Sequence, residues 1–172
     1  MTFEEKIKYI DKDKGFGEFK KFTNVDDFPK LDGETKSILK TYGVYSYHQG
    51  RLITDGKLIK IDDTKIQFGK SPWINTFYFI DTSKGNKVFG FDKSDKEIFP
   101  VNTSIKKYIE CLFVMYYFSE EIEGEEIFGE YYVNENYKKY AAKLKEMFLE
   151  IEPSIMETSW SSEVLEREIG AL

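Results

Sequence analysis

The sequence predicts an α+β fold: a mostly antiparallel central sheet of about six strands, flanked by N-terminal and C-terminal helices. Three observations predict it. Cap residues and helical spacing of apolar side chains mark both ends of the chain. Between Val44 and Val101 the pattern changes to short strand-like runs. The connections between those runs are too short for crossover helices, which parallel strands would require. The chain has 172 residues, no internal repeat and no low-complexity linker, so residues 1–172 read as a single domain.

Thr2 followed by Glu5 forms a capping box, and Phe3, Ile7 and Ile10 continue at helical spacing until Asp11-Lys12-Asp13-Lys14-Gly15. Asp32 caps a second helix with Ile38, Leu39 and Tyr42 on one face and Gly43 as its stop, and Phe28-Pro29 fixes its entry. The strand-like runs are Val44–Tyr47, Arg51–Thr54, Lys57–Ile61, Thr64–Phe68, Ile74–Ile80, Lys87–Phe91 and Glu97–Phe99. Asp55-Gly56 is a two-residue hairpin signal. Asn102-Thr103-Ser104 caps a long helix whose second half, Leu112 to Phe118, is apolar all round and therefore expected to be buried on most sides. A further helix from about Glu135 to Ile151 turns Tyr137, Tyr140, Ala141, Leu144 and Phe148 to one side and stops at Pro153. Trp160, Val164, Leu165 and Ile169 mark a last short helix.

The formal charge is −6, with 25 basic and 31 acidic side chains. It is unevenly spread: residues 119–172 hold 14 acidic and five basic side chains, and the rest of the chain is slightly basic. An acidic chain with no basic stripe is a poor nucleic-acid binder. One cysteine, Cys111, excludes an internal disulfide and a multi-cysteine zinc site, and one histidine, His48, excludes a His-rich metal centre. No secretory signal opens the chain, and the apolar block Ile109 to Phe118 is too short to span a bilayer. A soluble cytoplasmic protein without membrane contact, cofactor or metal is expected.

Motifs for chemistry fail on spacing. Gly69-Lys70-Ser71 lacks the earlier glycine of a phosphate loop, since Thr64 stands there, and Pro72 follows. Gly15-Phe16-Gly17 has Lys20 where a dinucleotide fingerprint needs glycine. Asp11-Lys12-Asp13-Lys14-Gly15 has its glycine one position early for a calcium loop. Cys111 lies between apolar neighbours and reads as a small buried hydrophobe. His48 reads as a turn residue, and Asp62-Asp63 flanks a turn and does not converge on a substrate. No catalytic residue emerges, so the chain is not expected to be an enzyme. Tyrosines 131, 132, 137 and 140 adjoin the densest charge run, Glu120, Glu121, Glu123, Glu125, Glu126 and Glu130. These six glutamates are the candidate docking face for a basic partner.

Three segments carry a family resemblance: Phe28-Pro29 with Ile38-Leu39-Lys40-Thr41-Tyr42-Gly43; Lys87-Val88-Phe89-Gly90-Phe91 leading to Phe99-Pro100-Val101-Asn102-Thr103-Ser104-Ile105; and Ile151-Glu152-Pro153 with Trp160 and Val164-Leu165-Glu166. With these the chain resembles the SUKH (Smi/Knr-like) superfamily, closest to its fourth family of bacterial immunity proteins. Glu152 stands where that family often carries aspartate. The resemblance implies an immunity protein, or antitoxin, that binds and neutralises a cognate polymorphic toxin by stoichiometric occlusion. The acidic last third fits a basic toxin such as a nuclease. A protein- or peptide-binding regulatory scaffold unrelated to toxins is the alternative.

Overall fold

A computed structural model describes residues 1–12, 17–124 and 136–170. Helix α1 (Phe3–Ile10) starts as expected: Thr2 accepts from the Glu5 N–H at 3.3 Å and Glu5 accepts from the Thr2 N–H at 2.6 Å. A short strand that the sequence reading did not anticipate, β1 (Glu18–Lys20), follows. Three residues are too few to show an alternation, and the strand is defined by its partner. Helix α2 (Gly33–Thr41) is capped by Asp32, which accepts from the Thr35 N–H at 2.7 Å. Gly43 then stops it at φ +81°, where a Cβ would lie 2.0 Å from the Lys20 carbonyl oxygen. Strand β2 (Val44–Ser46) leaves that turn and pairs antiparallel with β1.

Five strands form the main sheet in chain order, every pair antiparallel: β3 (Ile59–Lys60), β4 (Lys65–Lys70), β5 (Thr76–Asp81), β6 (Lys87–Asp92) and β7 (Glu97–Asn102). The α+β class with a mostly antiparallel sheet therefore holds, divided into five strands and a separate two-stranded ribbon. The Asp55-Gly56 turn does not close a hairpin. Asn24 takes both backbone groups of Leu58, donating to its carbonyl and accepting from its N–H at 2.9 Å each, while the Gly56 carbonyl accepts from the Thr23 N–H at 3.2 Å. The run 51–54 contributes only an isolated bridge between Ile53 and Lys70.

Ser104 caps α3 (Ile105–Tyr117), which continues through a π-helical turn over Phe118–Glu123. Cys111, Leu112, Phe113, Val114 and Phe118 are buried, as an all-apolar half-helix requires. Helix α4 (Asn136–Ile151) buries Ala141, Leu144 and Phe148. Helix α5 (Ser161–Glu168) follows Trp160. Of the apolar residues that mark it, Val164 is buried and Leu165 and Ile169 are exposed, while Arg167 is buried.

Two of the segments that carry the family resemblance, around Asn102 and around Glu152 and Trp160, meet in space. The Trp160 Nε1–H donates to Asn102 Oδ1 at 2.8 Å, and the indole packs between Tyr108 and Phe148. Glu152, also buried, accepts from the Thr103 N–H at 2.9 Å and the Thr103 hydroxyl at 2.8 Å, with Lys107 3.5 Å away. These motif residues cap and join elements. Among the described residues no helix is long and apolar enough to cross a membrane.

Candidate protein-docking face

The expected acidic face is only partly surface. Glu120 and Glu121, at the π-helical end of α3, accept from the Tyr9 hydroxyl at 3.0 and 2.9 Å. Lys12 pairs with Glu120 at 2.6 Å and lies over the Tyr9 ring. Burial and these two carboxylates push the Tyr9 phenol well above its ordinary range. Glu123 is turned inward, 3% exposed, and binds Arg167 through both carboxylate oxygens at 2.7 and 3.3 Å. Its expected place on a solvent-facing surface is corrected by that pairing. Arg167 also reaches Glu163, which pairs with Arg51, whose guanidinium lies 4.1 Å from the Trp160 ring centre. Glu125, Glu126 and Glu130, and with them Tyr131 and Tyr132, lie outside the described residues, as do Asp13 to Phe16. Tyr137 and Tyr140 are half-buried on α4, and Tyr140 meets Phe118 edge-on.

The other polar candidates have local tasks. Asp62 accepts from the Thr64 and Lys65 N–H groups at 2.8 Å each and pairs with Lys65 at 2.7 Å, which holds its carboxyl far below the usual range. Asp63 pairs with Lys60 across the same turn. The Ser71 hydroxyl accepts from the Trp73 and Ile74 N–H groups, and Gly69 lies against Leu52, so Gly69-Lys70-Ser71 is a strand end and turn. Cys111 is fully buried, accepts a 3.4 Å hydrogen bond from Asn102, and has its thiol pushed up to about 12 by burial. His48 is exposed beside a groove of about 1250 Å³ between the ribbon and β3–β4. Among the described residues no three His, Cys, Asp or Glu side chains gather as a metal site.

A different surface, built by β5 and β6, stands out. Alternation along a strand sends Tyr78 and Ile80 of β5 and Val88 of β6 to the core. Phe77 and Phe79 of β5, with Phe89 and Phe91 of β6, therefore point to the opposite face. None of the four belongs to the core cluster, and helix α3 meets this sheet from the core side, with Tyr108 against Phe68. Register aligns two rows across the outer face. One runs Ile59, Gln67, Phe79, Phe89, Pro100; the other runs Lys70, Phe77, Phe91, Ile98.

The four rings pack on one another. Phe79 and Phe89 stack with centroids 5.7 Å apart, and Phe77 lies 5.1 Å from Phe91 and 6.1 Å from Phe79. Their mutual cover leaves Phe79 1% exposed, and the other three are half-buried. Ile59 and Ile98, at the two ends of the rows, are 53% and 49% exposed. Lys84 and Lys93 lie over the outer rings, 4.7 Å from Phe89 and 5.7 Å from Phe77.

Sequence reasoning missed this face because it read the strands as runs without assigning their two faces. A signal was present. Phe-x-Phe occurs in both Thr76-Phe77-Tyr78-Phe79 and Val88-Phe89-Gly90-Phe91, with apolar residues between, so both faces of the central strands are apolar. No family model, no curated protein and no solved structure matches the chain.

Proposed function

We propose that the chain is a binding protein that works by stoichiometric occlusion, an immunity protein that neutralises a bacterial toxin in the cytoplasm. The observation that supports a binding role is the outer sheet face, where four in-register phenylalanines stand apart from the core with lysines at their margin. Contiguous exposed apolar surface with a polar rim is the anatomy of protein interfaces. The toxin assignment rests on the three resembling segments, and the nuclease class on the acidity of the last third.

Co-expression with the product of an adjacent gene, then co-purification and a growth assay, tests this function. The expected result is a one-to-one complex and restored growth; a toxin that neither binds nor is neutralised contradicts immunity. A regulatory scaffold outside toxin biology would use the same face, and the absence of a neighbouring toxin gene favours it. Glu120 and Glu121 provide the described part of a second docking geometry, for a basic toxin. If that geometry is used, Glu120→Gln/Glu121→Gln slows association and flattens its salt dependence.

A further inference from the structure

We propose that the outer sheet face takes an acidic protein segment, whose apolar side chains cover Phe77, Phe89 and Phe91 while its carboxylates meet Lys70, Lys84, Lys87 and Lys93. This rests on the reading of that face as a protein-docking surface and does not require the partner to be a toxin.

The charges of the face argue for it. Lys70 shares a row with Phe77, Lys87 precedes Phe89 on the same side of β6, and Lys84 and Lys93 lie over rings. Among the described residues none of these four lysines is in an ion pair, although thirteen such contacts are made elsewhere on the chain. Two of the carboxylates nearby are hydrogen-bonded within the fold. Asp81 accepts from the Ser83 N–H at 3.0 Å and its hydroxyl at 2.6 Å, and Asp62 is held by Lys65. A chain of net charge −6 thus presents four lysines outside any described ion pair at the margin of its apolar face, with the exposed Asp95 and Glu97 following Lys93 in the chain. An incoming carboxylate there replaces solvent around an ammonium that breaks no ion pair.

Two other occupants fit less well. A second copy placed face to face would set lysines against lysines. A second copy placed with its acidic last third on this face would make a heterologous contact, which gives a ring or an open filament and never a two-fold dimer. A single-stranded nucleic acid needs open ring faces for base stacking. Here Phe79 is shut in, and the flanking groups Ile59, Ile98 and Pro100 are aliphatic or non-aromatic. The net negative charge further opposes a continuous polyanion.

Panning a displayed library of random peptides on the full chain tests the proposal. Selected peptides should be rich in Asp and Glu beside aromatic or aliphatic residues. Their binding should weaken at least about tenfold when ionic strength rises from about 0.05 to about 0.5 M, and to a similar extent in Lys70→Glu/Lys84→Glu/Lys87→Glu/Lys93→Glu. All four are surface positions, so this variant folds even if Phe77→Ser/Phe91→Ser does not. Peptides without acidic enrichment, or binding indifferent to both variants, would overturn the proposal. So would tighter binding of an oligo-dT strand, or self-association abolished by the lysine variant. A toxin that co-purifies equally well with the lysine variant leaves immunity standing and removes this inference. Acidic peptides that bind here when no toxin complex forms do the reverse.

Discussion

Trp160 has no exposed surface and a single polar atom, and that atom is placed with care: its N–H donates to Asn102, whose amide nitrogen in turn donates to Cys111. Replacing Asn102 by Leu leaves the indole N–H buried without an acceptor, which costs about 1–3 kcal/mol. Urea unfolding measures this, and an unchanged midpoint would show that the bond carries no stability. Cys111, with its thiol at about 12, should react with a disulfide reagent only as fast as the chain unfolds. Glu152 responds to pH. Burial pushes its carboxyl up, but Thr103, Lys107 and Ser154 outweigh burial and hold it below the ordinary value of 4.5. A carboxylate with a depressed folded pKa stabilises the fold above its unfolded pKa, and this contribution is lost as pH falls through the folded value. The stability gap between wild type and Glu152→Gln should therefore be full at neutral pH and shrink below about pH 4. A gap that does not vary with pH would contradict the assigned network.

At the scale of elements, β6 depends on a missing side chain. Gly90 faces the core opposite Phe99, and a Cβ there would lie 2.2 Å from the Phe99 ring. Gly90→Ala should cost about 1–3 kcal/mol by overpacking, read as a lower thermal midpoint, and Phe99→Leu in the same chain should recover part of it. The elements also show what was legible in advance. Thr2-x-x-Glu5, Asp32 and Ser104 cap helices through bonds that span three residues, so local sequence suffices to find them. Asp55-Gly56 misled because Asn24, far back in the chain, captures the backbone that would have closed the hairpin. Glu123 looked like one of six surface glutamates because its partner Arg167 is 44 residues away. Alternation states which strand residues share a face, but only the placement of the helices decides which face stays open. Phe77, Phe79, Phe89 and Phe91 were therefore readable as a set and not as a surface.

The whole molecule is held at its C-terminal side by a chain of charges. Arg51, Glu163, Arg167 and Glu123 connect the segment before β3, helix α5 and the π-helical end of α3. Glu123→Ala removes the closer of the two carboxylates that Arg167 meets. It should cost less than the loss of about 3–5 kcal/mol for a buried charge left with no partner, because Glu163 still pairs with the guanidinium. Breaking an exposed pair such as Lys143–Glu146 should leave the unfolding midpoint nearly unchanged. Among the described residues α3 packs on one side of the sheet, and the half-buried aromatic face on the other side is where the proposed partner would bury apolar area. The measurement that bears most directly on this is the affinity of Phe77→Ser/Phe91→Ser for the co-purified partner, with thermal unfolding followed in parallel. At least about a tenfold loss of affinity with the fold intact is predicted, the size expected when central aromatic anchors are removed. Unchanged affinity in a folded variant would contradict a docking role for the sheet.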